Sequence, residues 1–527
     1  MRHLKFVILA AILLIGFALR FYNVKNIPTG FFADEAAIGY NSYSILTTGK
    51  DEHGAPYPFY FQSFGDWRTS VPIYSMIPFI AIFGPNEFSV RFTMVVYGTA
   101  TILILYLFTR ELFWKEERFK EPIALTSSLF LAISPWHIHF SRSGFEFTTM
   151  PFYLLAGLVF LFRFLHRNQK NKDLILATIF FITSFYTAYV IQLVLLPLLF
   201  SIFILYSKTF LTKRLKLSII CLFIFILGLI PFLLAATSGQ ALTRFNSVSP
   251  LSHGKSIKEV LQPMINTYVD HFSLDFLFLK GDIDMPGHFI SRHSVRGMGE
   301  LYLFQLPLLF SGIIYLILKA KRIFIFLFLW LALYPVGSIM VAEGPFAHRS
   351  LFGVIPFQIL SAIGLIAVFY FLFKLIKNLK LQVAISGILI VFFVIIGSLS
   401  IKDYINKYFN EYPLYSSDFW GWQDGPEEII NYFITQKDYY DQMYMSGEFN
   451  GGYIFIPFYD PKNLCQNKCK MGDIYRQPEI YDPLKKQLFA LSPEFLSKSN
   501  YNQNFKVVKN VYYPNGNVAF KIGEIVK

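Results

Sequence analysis

Three polar segments of this sequence contain the side chains best suited to chemistry. Each lies beside a long apolar run and combines carboxylates with histidine or arginine. The candidates are Asp34, Glu35, His53, Asp66 and Arg68 in the first segment, Arg142 and Glu146 in the second, and His348 and Arg349 in the third. A carboxylate can deprotonate a hydroxyl group, and a guanidinium can bind phosphate through paired hydrogen bonds. Ionisable groups beside a membrane are usually functional, so the three segments predict one site.

The same residues also have ordinary structural interpretations. An acidic pair beside an apolar run is often a solvated loop, and arginines at span ends often anchor the chain or form structural ion pairs. His137 and His139 are two residues apart, which favours capping or packing over metal binding, because this spacing puts them on different faces of a helix. The sequence contains no Walker A, GxGxxG or HExxH motif, so no motif supports nucleotide chemistry or zinc proteolysis.

The composition is typical of a polytopic membrane protein. Of 527 residues, 54% are hydrophobic and 15% are charged, whereas soluble domains have roughly a quarter charged residues. This excludes a disordered chain, a small disulfide-rich protein and an ordinary cytosolic enzyme. The net charge is +13, but the basic residues lie in short clusters between apolar runs. That pattern indicates loops held against anionic lipid and gives no support for nucleic-acid binding.

Apolar runs predict about eleven transmembrane helices with the N-terminus inside and the C-terminus outside. The predicted spans are 4–21, 88–109, 122–138, 148–165, 174–187, 189–206, 217–236, 301–318, 323–341, 350–373 and 381–400. Lysine and arginine cluster in alternate connections, and the short outer turns hold only Arg142 and Arg349. The run 71–83 is apolar but short, so we expect it to lie in the interface or to re-enter the membrane.

This topology divides the chain into a membrane domain, 1–400, and an extracytoplasmic C-terminal domain, 401–527. The membrane domain has two large outer loops, 22–87 and 237–300. Short β-like runs in the tail predict a small α/β or α+β fold. Cys465 and Cys469 form a close pair that could bind metal, and an extracytoplasmic location favours a disulfide instead.

Several segments resemble bacterial protein O-mannosyltransferase-like membrane glycosyltransferases of the C-type superfamily, which includes the lipid A aminoarabinose transferases. They are PTGFFADEAAIGY (28–40), TTGKDEHG (47–54), SFGDWRTSVPIY (63–74), NEFSVRF (86–92), SPWHIHFSRSGFE (134–146), HFSLDFLFLKGD (271–282), GELYLFQLP (299–307) and AHRSLFGVIPFQILSAIGL (347–365). These segments cover most of the membrane part in the family's order. The tail resembles family tails only loosely, at 432–459.

The resemblance implies roles for the candidate residues. Asp34 corresponds to the family's base, with Glu35 beside it. Arg68 stands where the family has an aromatic-Lys-Pro sequence that meets the lipid phosphate, although Trp67-Arg68-Thr69 lacks the proline. Further implied phosphate contacts are His348, Arg349 and Arg142, the implied ligands of a divalent cation are Asp66 and His53, and Glu146 is a further site candidate.

The resemblance also implies the reaction. The family moves one sugar from a polyprenyl-phosphate donor to a hydroxyl on a protein, lipid or cell-envelope acceptor, with no other certain cofactor. One base and a separate leaving group imply inversion at the anomeric carbon. We expect a multi-pass protein of the cell membrane, in contact with membrane lipids, whose active site is extracytoplasmic. A lipid-linked sugar flippase or transporter and an inactive scaffold relative are the alternatives.

Overall fold

The computed structural model of the protein describes residues 3–167, 170–243, 246, 254, 256–285, 290–340, 344–447 and 449–526. Helices dominate these ranges up to residue 406, and a β-sheet follows in the tail. The helices of the first part are α1 (Leu4–Phe21), α2 (Ala33–Thr48), α3 (Ser70–Phe83), α4 (Glu87–Leu112), α5 (Lys120–Ile133), α6 (Pro135–Phe140), α7 (Thr149–His166), α8 (Asn171–Phe185), α9 (Tyr189–Leu205), α10 (Leu215–Gly228), α11 (Ile230–Thr237), α12 (Ile257–Asp270), α13 (Gln305–Lys319), α14 (Lys321–Leu333), α15 (Val336–Ile339), α16 (Val354–Leu375) and α17 (Leu379–Asn406).

Each of the eleven predicted spans overlaps a helix, and residue 341, at the end of one of them, lies outside the described residues. Within the described ranges, seven helical segments are long and apolar enough to cross a membrane: Leu4–Phe21, Glu87–Leu112, Glu146–His166, Leu215–Thr237, Lys321–Ile339, Leu351–Leu375 and Leu379–Ser416. Two further predicted spans lie on the shorter apolar helices α9 and α13. The span predicted at 122–138 is split, because Pro135 begins a separate helix after Ser134. The helical membrane architecture is therefore confirmed, whereas the number of crossings and their orientation stay predictions.

The short apolar run forms helix α3. Its 14 residues span about 21 Å at 1.5 Å per residue, less than the roughly 30 Å of a bilayer core. It packs between α2 and α4. Its length agrees with the expectation for a segment that does not cross, and its depth in the membrane stays a prediction.

The tail contains a five-stranded mixed sheet. Its strands are β3 (Gln442–Met445), β4 (Cys469–Met471), β5 (Gln487–Leu491), β6 (Phe505–Tyr512) and β7 (Val518–Ile525), in the spatial order β4-β3-β5-β7-β6. The tail helices are α18 (Tyr412–Ser416), α19 (Pro426–Gln436), α20 (Phe455–Tyr459) and α21 (Pro493–Lys498). Strand β3 is parallel to β4 and β5, and β7 is antiparallel to β5 and β6. A disulfide joins Cys465 to Cys469. Helix α17 continues past residue 400, so the predicted domain boundary lies inside a helix.

The tail packs directly on the first outer loop. Phe31, just before α2, stacks on Phe458 of α20 with ring centroids 4.9 Å apart. Gly30 has φ +94°, and a Cβ there would lie 2.7 Å from the backbone of Trp422 and of Asp424. Only glycine permits this approach without strain. The tail therefore packs against the residues that precede α2 and restrains the start of this helix.

Candidate active site

A cavity of about 450 Å³ lies where the three polar segments meet. Six of the residues proposed from the sequence line it: Asp34, Asp66, Arg68, Glu146, His348 and Arg349. Its other ionisable lining residues are Tyr189 and, from the second outer loop, Arg292 and His293. The remaining lining is largely aromatic and aliphatic, with Val190, Leu193, Phe232, Met340 and Phe346 among its members. The fold thus brings together charged groups that are up to about three hundred positions apart in sequence.

Asp34 is the member of the acidic pair that faces the cavity. It lies in the first turn of α2, where the helix dipole favours a negative charge. Its side chain is 26% exposed, and Oδ1 lies 2.5 Å from a terminal nitrogen of Arg68. Asp34 is therefore partly accessible from the cavity and paired with Arg68.

Glu35, the other candidate of the acidic pair, lies in the protein interior, and its place in the reacting group stays a prediction. Its side chain is fully buried and pairs with the equally buried Arg91 at 3.1 Å. It also accepts hydrogen bonds from the backbone N–H of Phe32 at 3.1 Å and of Gly144 at 2.6 Å. Consecutive helical positions are rotated by about 100°, and here Asp34 faces the cavity whereas Glu35 faces Arg91. Glu35 positions the first turn of α2.

A β-hairpin carries Arg68 to Asp34. Strands β1 (Tyr60–Ser63) and β2 (Asp66–Thr69) pair antiparallel, and the two-residue turn between them has φ +55° at Phe64 and +78° at Gly65. A two-residue turn of this kind needs a positive φ at both positions, which explains why glycine occupies position 65. The second carboxylate near Arg68 is Glu146, at 3.5 Å. Burial lowers the pKa of Arg68, but Asp34 and Glu146 outweigh it and hold the pKa above its usual value.

Asp66 lines the cavity two residues before Arg68, and its carboxylate accepts a hydrogen bond from the backbone N–H of Trp67 at 2.7 Å. His53 lies outside the cavity lining, beside Glu52 at 3.9 Å, with a side chain that is 40% exposed. These two residues form no three-ligand metal cluster within the described residues. The structure therefore does not support the implied pairing of Asp66 with His53 at a cation, because they lie on different parts of the first loop.

Arg142 lies among backbone carbonyls and aromatic rings outside the cavity lining, and its implied role as a phosphate contact stays a prediction. It is fully buried. Its guanidinium donates hydrogen bonds to the backbone carbonyls of Leu19, Arg20 and Ile27 at 2.9–3.0 Å. The ring of Phe409 lies 4.8 Å from the guanidinium carbon. Arg142 thereby fixes the chain where it leaves α1, and it does not line the cavity.

Arg292 is the main cavity residue that the sequence reasoning missed. Its guanidinium lies 3.8 Å from the ring centroid of Phe32 and donates to the backbone carbonyl of Trp420 at 2.8 Å. No carboxylate of the described residues lies within 4.0 Å of it. Burial lowers the pKa of Arg292 to about 10, an effect partly offset by Asp34 and Asp282. Arg292 thus brings to the cavity a positive charge without a direct ion-pair partner among those residues.

A buried group of metal-binding side chains adjoins the cavity. Potential ligand atoms of Asp282, His293 and His348 all lie within 4.8 Å of one another. Asp282 is oriented by hydrogen bonds from the Ser294 hydroxyl at 2.7 Å and from the Ala347 N–H at 2.9 Å. One carboxylate and two imidazoles form a donor set suited to zinc, iron or manganese. In the sequence these three residues appear only as ionisable side chains in outer segments. Nothing in the sequence pattern indicates that they lie close together in the fold.

Comparisons with known proteins find one matching family model and several similar solved structures. Residues 70–235 match the family model described as dolichyl-phosphate-mannose-protein mannosyltransferase. ArnT from Cupriavidus metallidurans, crystallised with undecaprenyl phosphate, matches with a TM-score of 0.53 and 10% identity over 99% of this chain and 97% of its own. The oligosaccharyltransferase AglB from Archaeoglobus fulgidus, in complex with an inhibitory peptide and a dolichol-phosphate, matches with a TM-score of 0.52 and 12% identity over 98% of this chain and 74% of its own. No curated protein matches the sequence.

The resemblance indicated by the sequence motifs is therefore confirmed: residues 70–235 match the dolichyl-phosphate-mannose-protein mannosyltransferase family model, and nearly the whole chain shares the fold of ArnT and of the oligosaccharyltransferase AglB.

Proposed function

We propose that the protein is a membrane glycosyltransferase that moves one sugar from a polyprenyl-phosphate donor to an acceptor hydroxyl at the outer face of the cell membrane. The observation that carries this proposal is the cavity itself. It combines the carboxylate of Asp34 with the guanidinium groups of Arg68, Arg292 and Arg349 and with an apolar wall. This combination suits a substrate that has a hydroxyl to deprotonate, a phosphate to bind and a hydrocarbon tail.

The resting ion pair between Asp34 and Arg68 suggests the order of events. The donor phosphate competes for Arg68 and releases Asp34 to act as base. The acceptor hydroxyl then gives its proton to Asp34, its oxygen bonds to the anomeric carbon, and the bond from that carbon to the phosphate oxygen breaks. The electron pair leaves with the polyprenyl phosphate. A single displacement of this kind inverts the configuration of the sugar.

The departing phosphate requires positive charge where its negative charge develops. Arg68, Arg292 and Arg349 are the guanidinium groups of the cavity lining. Arg349 also lies next to the His348 imidazole, to which its Nε donates at 3.2 Å. The hydrocarbon tail would follow the apolar lining formed by Val190 and Leu193 of α9 and Phe232 of α11, because these residues lie on apolar helices.

Replacing Arg292 by glutamine is expected to lower donor consumption about 10²–10³-fold, the usual effect of removing one group that stabilises developing charge. The measurement is release of polyprenyl phosphate from a radiolabelled donor in liposomes. Arg296 provides the matched control, because it lies in the same loop but is paired with Asp284 at 3.7 Å and is largely exposed. Equal activity of R292Q and R296Q would show that Arg292 does not stabilise the departing phosphate.

We also propose that Asp282, His293 and His348 hold a divalent cation. The donor set fits such an ion, which would supply positive charge beside the phosphate when bound. We expect His293→Ala to lose the metal measured by elemental analysis of the purified protein, whereas His53→Ala, at an exposed histidine, keeps it. A metal content that is unchanged in H293A would contradict this site whatever the activity shows.

The function itself is tested with a panel of radiolabelled polyprenyl-phosphate sugars offered to the protein in liposomes together with protein, lipid and polymer acceptors. Transfer of label with inversion of the anomeric configuration, measured by NMR of the product, supports the proposal. Retention would contradict the single displacement. Movement of an intact donor between leaflets without consumption would instead support a lipid-linked sugar transporter.

A further inference from the structure

A second groove, of about 580 Å³, lies at the far end of the helix that begins beside the candidate site. Its lining comes from the start of α5 and the end of α16: Arg118, Phe119, Pro122, Ile366, Phe369, Tyr370, Phe373 and Lys374. We call it the distal groove. None of its residues lines the catalytic cavity.

Helix α16 sets the distance between the two sites. It begins at Val354, five positions after Arg349, and its 22 residues end at Leu375. At 1.5 Å per residue it is about 33 Å long, which is roughly the thickness of a bilayer core. The distal groove therefore lies at the membrane face opposite the candidate active site. The charge bias of the sequence predicts that this face is cytoplasmic.

The distal groove joins an apolar wall to two exposed cations. Phe119 and Tyr370 pack edge to face with centroids 6.0 Å apart, and the Arg118 guanidinium lies 5.4 Å from the Phe119 ring. Phe373, on the other wall, is 43% exposed. Apolar surface beside paired cations complements a ligand with a hydrocarbon chain and an anionic head.

Most of the neighbouring carboxylates form ion pairs with cations outside the groove. Glu117 pairs with Lys120 at 2.9 Å. Glu121 pairs with Arg110 at 2.9 Å and with Lys5 at 3.2 Å. Glu116 is exposed and does not line the groove. Within the described residues, neither Arg118 nor Lys374 has a carboxylate within 4.0 Å. The groove therefore presents a net positive charge to the headgroup region.

We propose that the distal groove binds one anionic phospholipid. The headgroup phosphate lies between Arg118 and Lys374, and an acyl chain lies along Ile366, Phe369 and Phe373. A free phosphate would make no contact with this apolar wall. A zwitterionic lipid carries a positive group, which Arg118 and Lys374 would repel. This inference does not depend on the proposed transferase activity.

The test is lipid binding by native mass spectrometry of the full-length protein in detergent, with phosphatidylglycerol as the probe. We expect the double variant R118Q/K374Q to bind it about 25-fold more weakly, roughly fivefold for each cation removed near an anionic headgroup. The control is K172Q/K213Q, which removes two exposed lysines outside the groove and is expected to bind as the wild type does.

A second variant tests the apolar wall without changing charge. Ile366→Trp fills part of the groove and is expected to weaken phosphatidylglycerol binding at least fivefold, with an unchanged unfolding temperature. Equal weakening in R118Q/K374Q and K172Q/K213Q would overturn the proposal. So would equal binding of phosphatidylcholine and phosphatidylglycerol, or displacement of the lipid by inorganic phosphate at similar concentration.

Discussion

Replacing Asp34 by asparagine is expected to lower donor consumption about 10²–10⁴-fold, the range typical of losing a general base. The reason is geometric as well as chemical. Asp34 is the accessible acid in the first turn of α2, and its carboxylate reaches the cavity where three arginines converge. Asparagine has nearly the same shape but cannot accept the proton. The measurement is turnover of a lipid-linked sugar in liposomes, with the wild type and D34N at equal protein content.

Donor binding separates this effect from a loss of structure. In D34N the ion pair to Arg68 at 2.5 Å is gone, so Arg68 becomes available to the donor phosphate. We expect D34N to bind the donor at least as tightly as the wild type does, while turnover falls. Asp284→Asn, at an acid that is 38% exposed and lies outside the cavity, is the matched control and should keep full turnover. Full turnover in D34N would show that Asp34 is not the base.

Replacing the adjacent residue, Glu35, is expected to act on stability instead. Glu35→Gln removes the negative charge that pairs with Arg91, and both side chains are fully buried. Leaving a buried guanidinium without its partner costs about 3–5 kcal/mol. The hydrogen bonds from Phe32 and Gly144 to the carboxylate would weaken as well. Unfolding of the purified protein in detergent, followed by circular dichroism, measures the loss.

Two comparisons identify the cause of that loss. D34N changes the neighbouring carboxylate in the same way and should unfold close to the wild-type temperature. The double variant E35Q/R91Q should be less destabilised than the sum of its single variants, because the second change removes the stranded charge. If E35Q kept wild-type stability and lost turnover as D34N does, Glu35 would belong to the reacting group after all.

The Arg91 network also explains how the tail affects the site. The Arg91 guanidinium lies 5.4 Å from the ring of Phe31 and 5.8 Å from that of Trp422, which belongs to the tail. At the start of α4, Glu87 accepts a hydrogen bond of 2.5 Å from the Tyr459 hydroxyl of α20. The tail therefore contacts the buried charges that position the first turn of α2. The tail therefore supports the first outer loop, which contains Asp34.

Much of the architecture could be predicted because its cause is local. An apolar run of about twenty residues must satisfy its own backbone hydrogen bonds in lipid, so it becomes a helix wherever it falls. All eleven predicted spans accordingly overlap a helix. Motifs such as PTGFFADEAAIGY likewise indicated the family resemblance and the segment that contains Asp34 without knowledge of the fold.

The roles of individual charged residues were decided by the tertiary structure. Position alone did not separate Asp34 from Glu35, yet the helix turns one toward the cavity and the other toward Arg91. Arg142 looked like a phosphate contact but binds backbone carbonyls, whereas Arg292, in a long loop without a periodic pattern, lines the cavity. A charged residue's role depends on which partner long-range packing brings within about 4 Å, because electrostatic and hydrogen-bond energies are set by that distance and by burial. The sequence by itself determined the helices and the candidate chemistry, and the folding of distant loops against one another determined which charges meet.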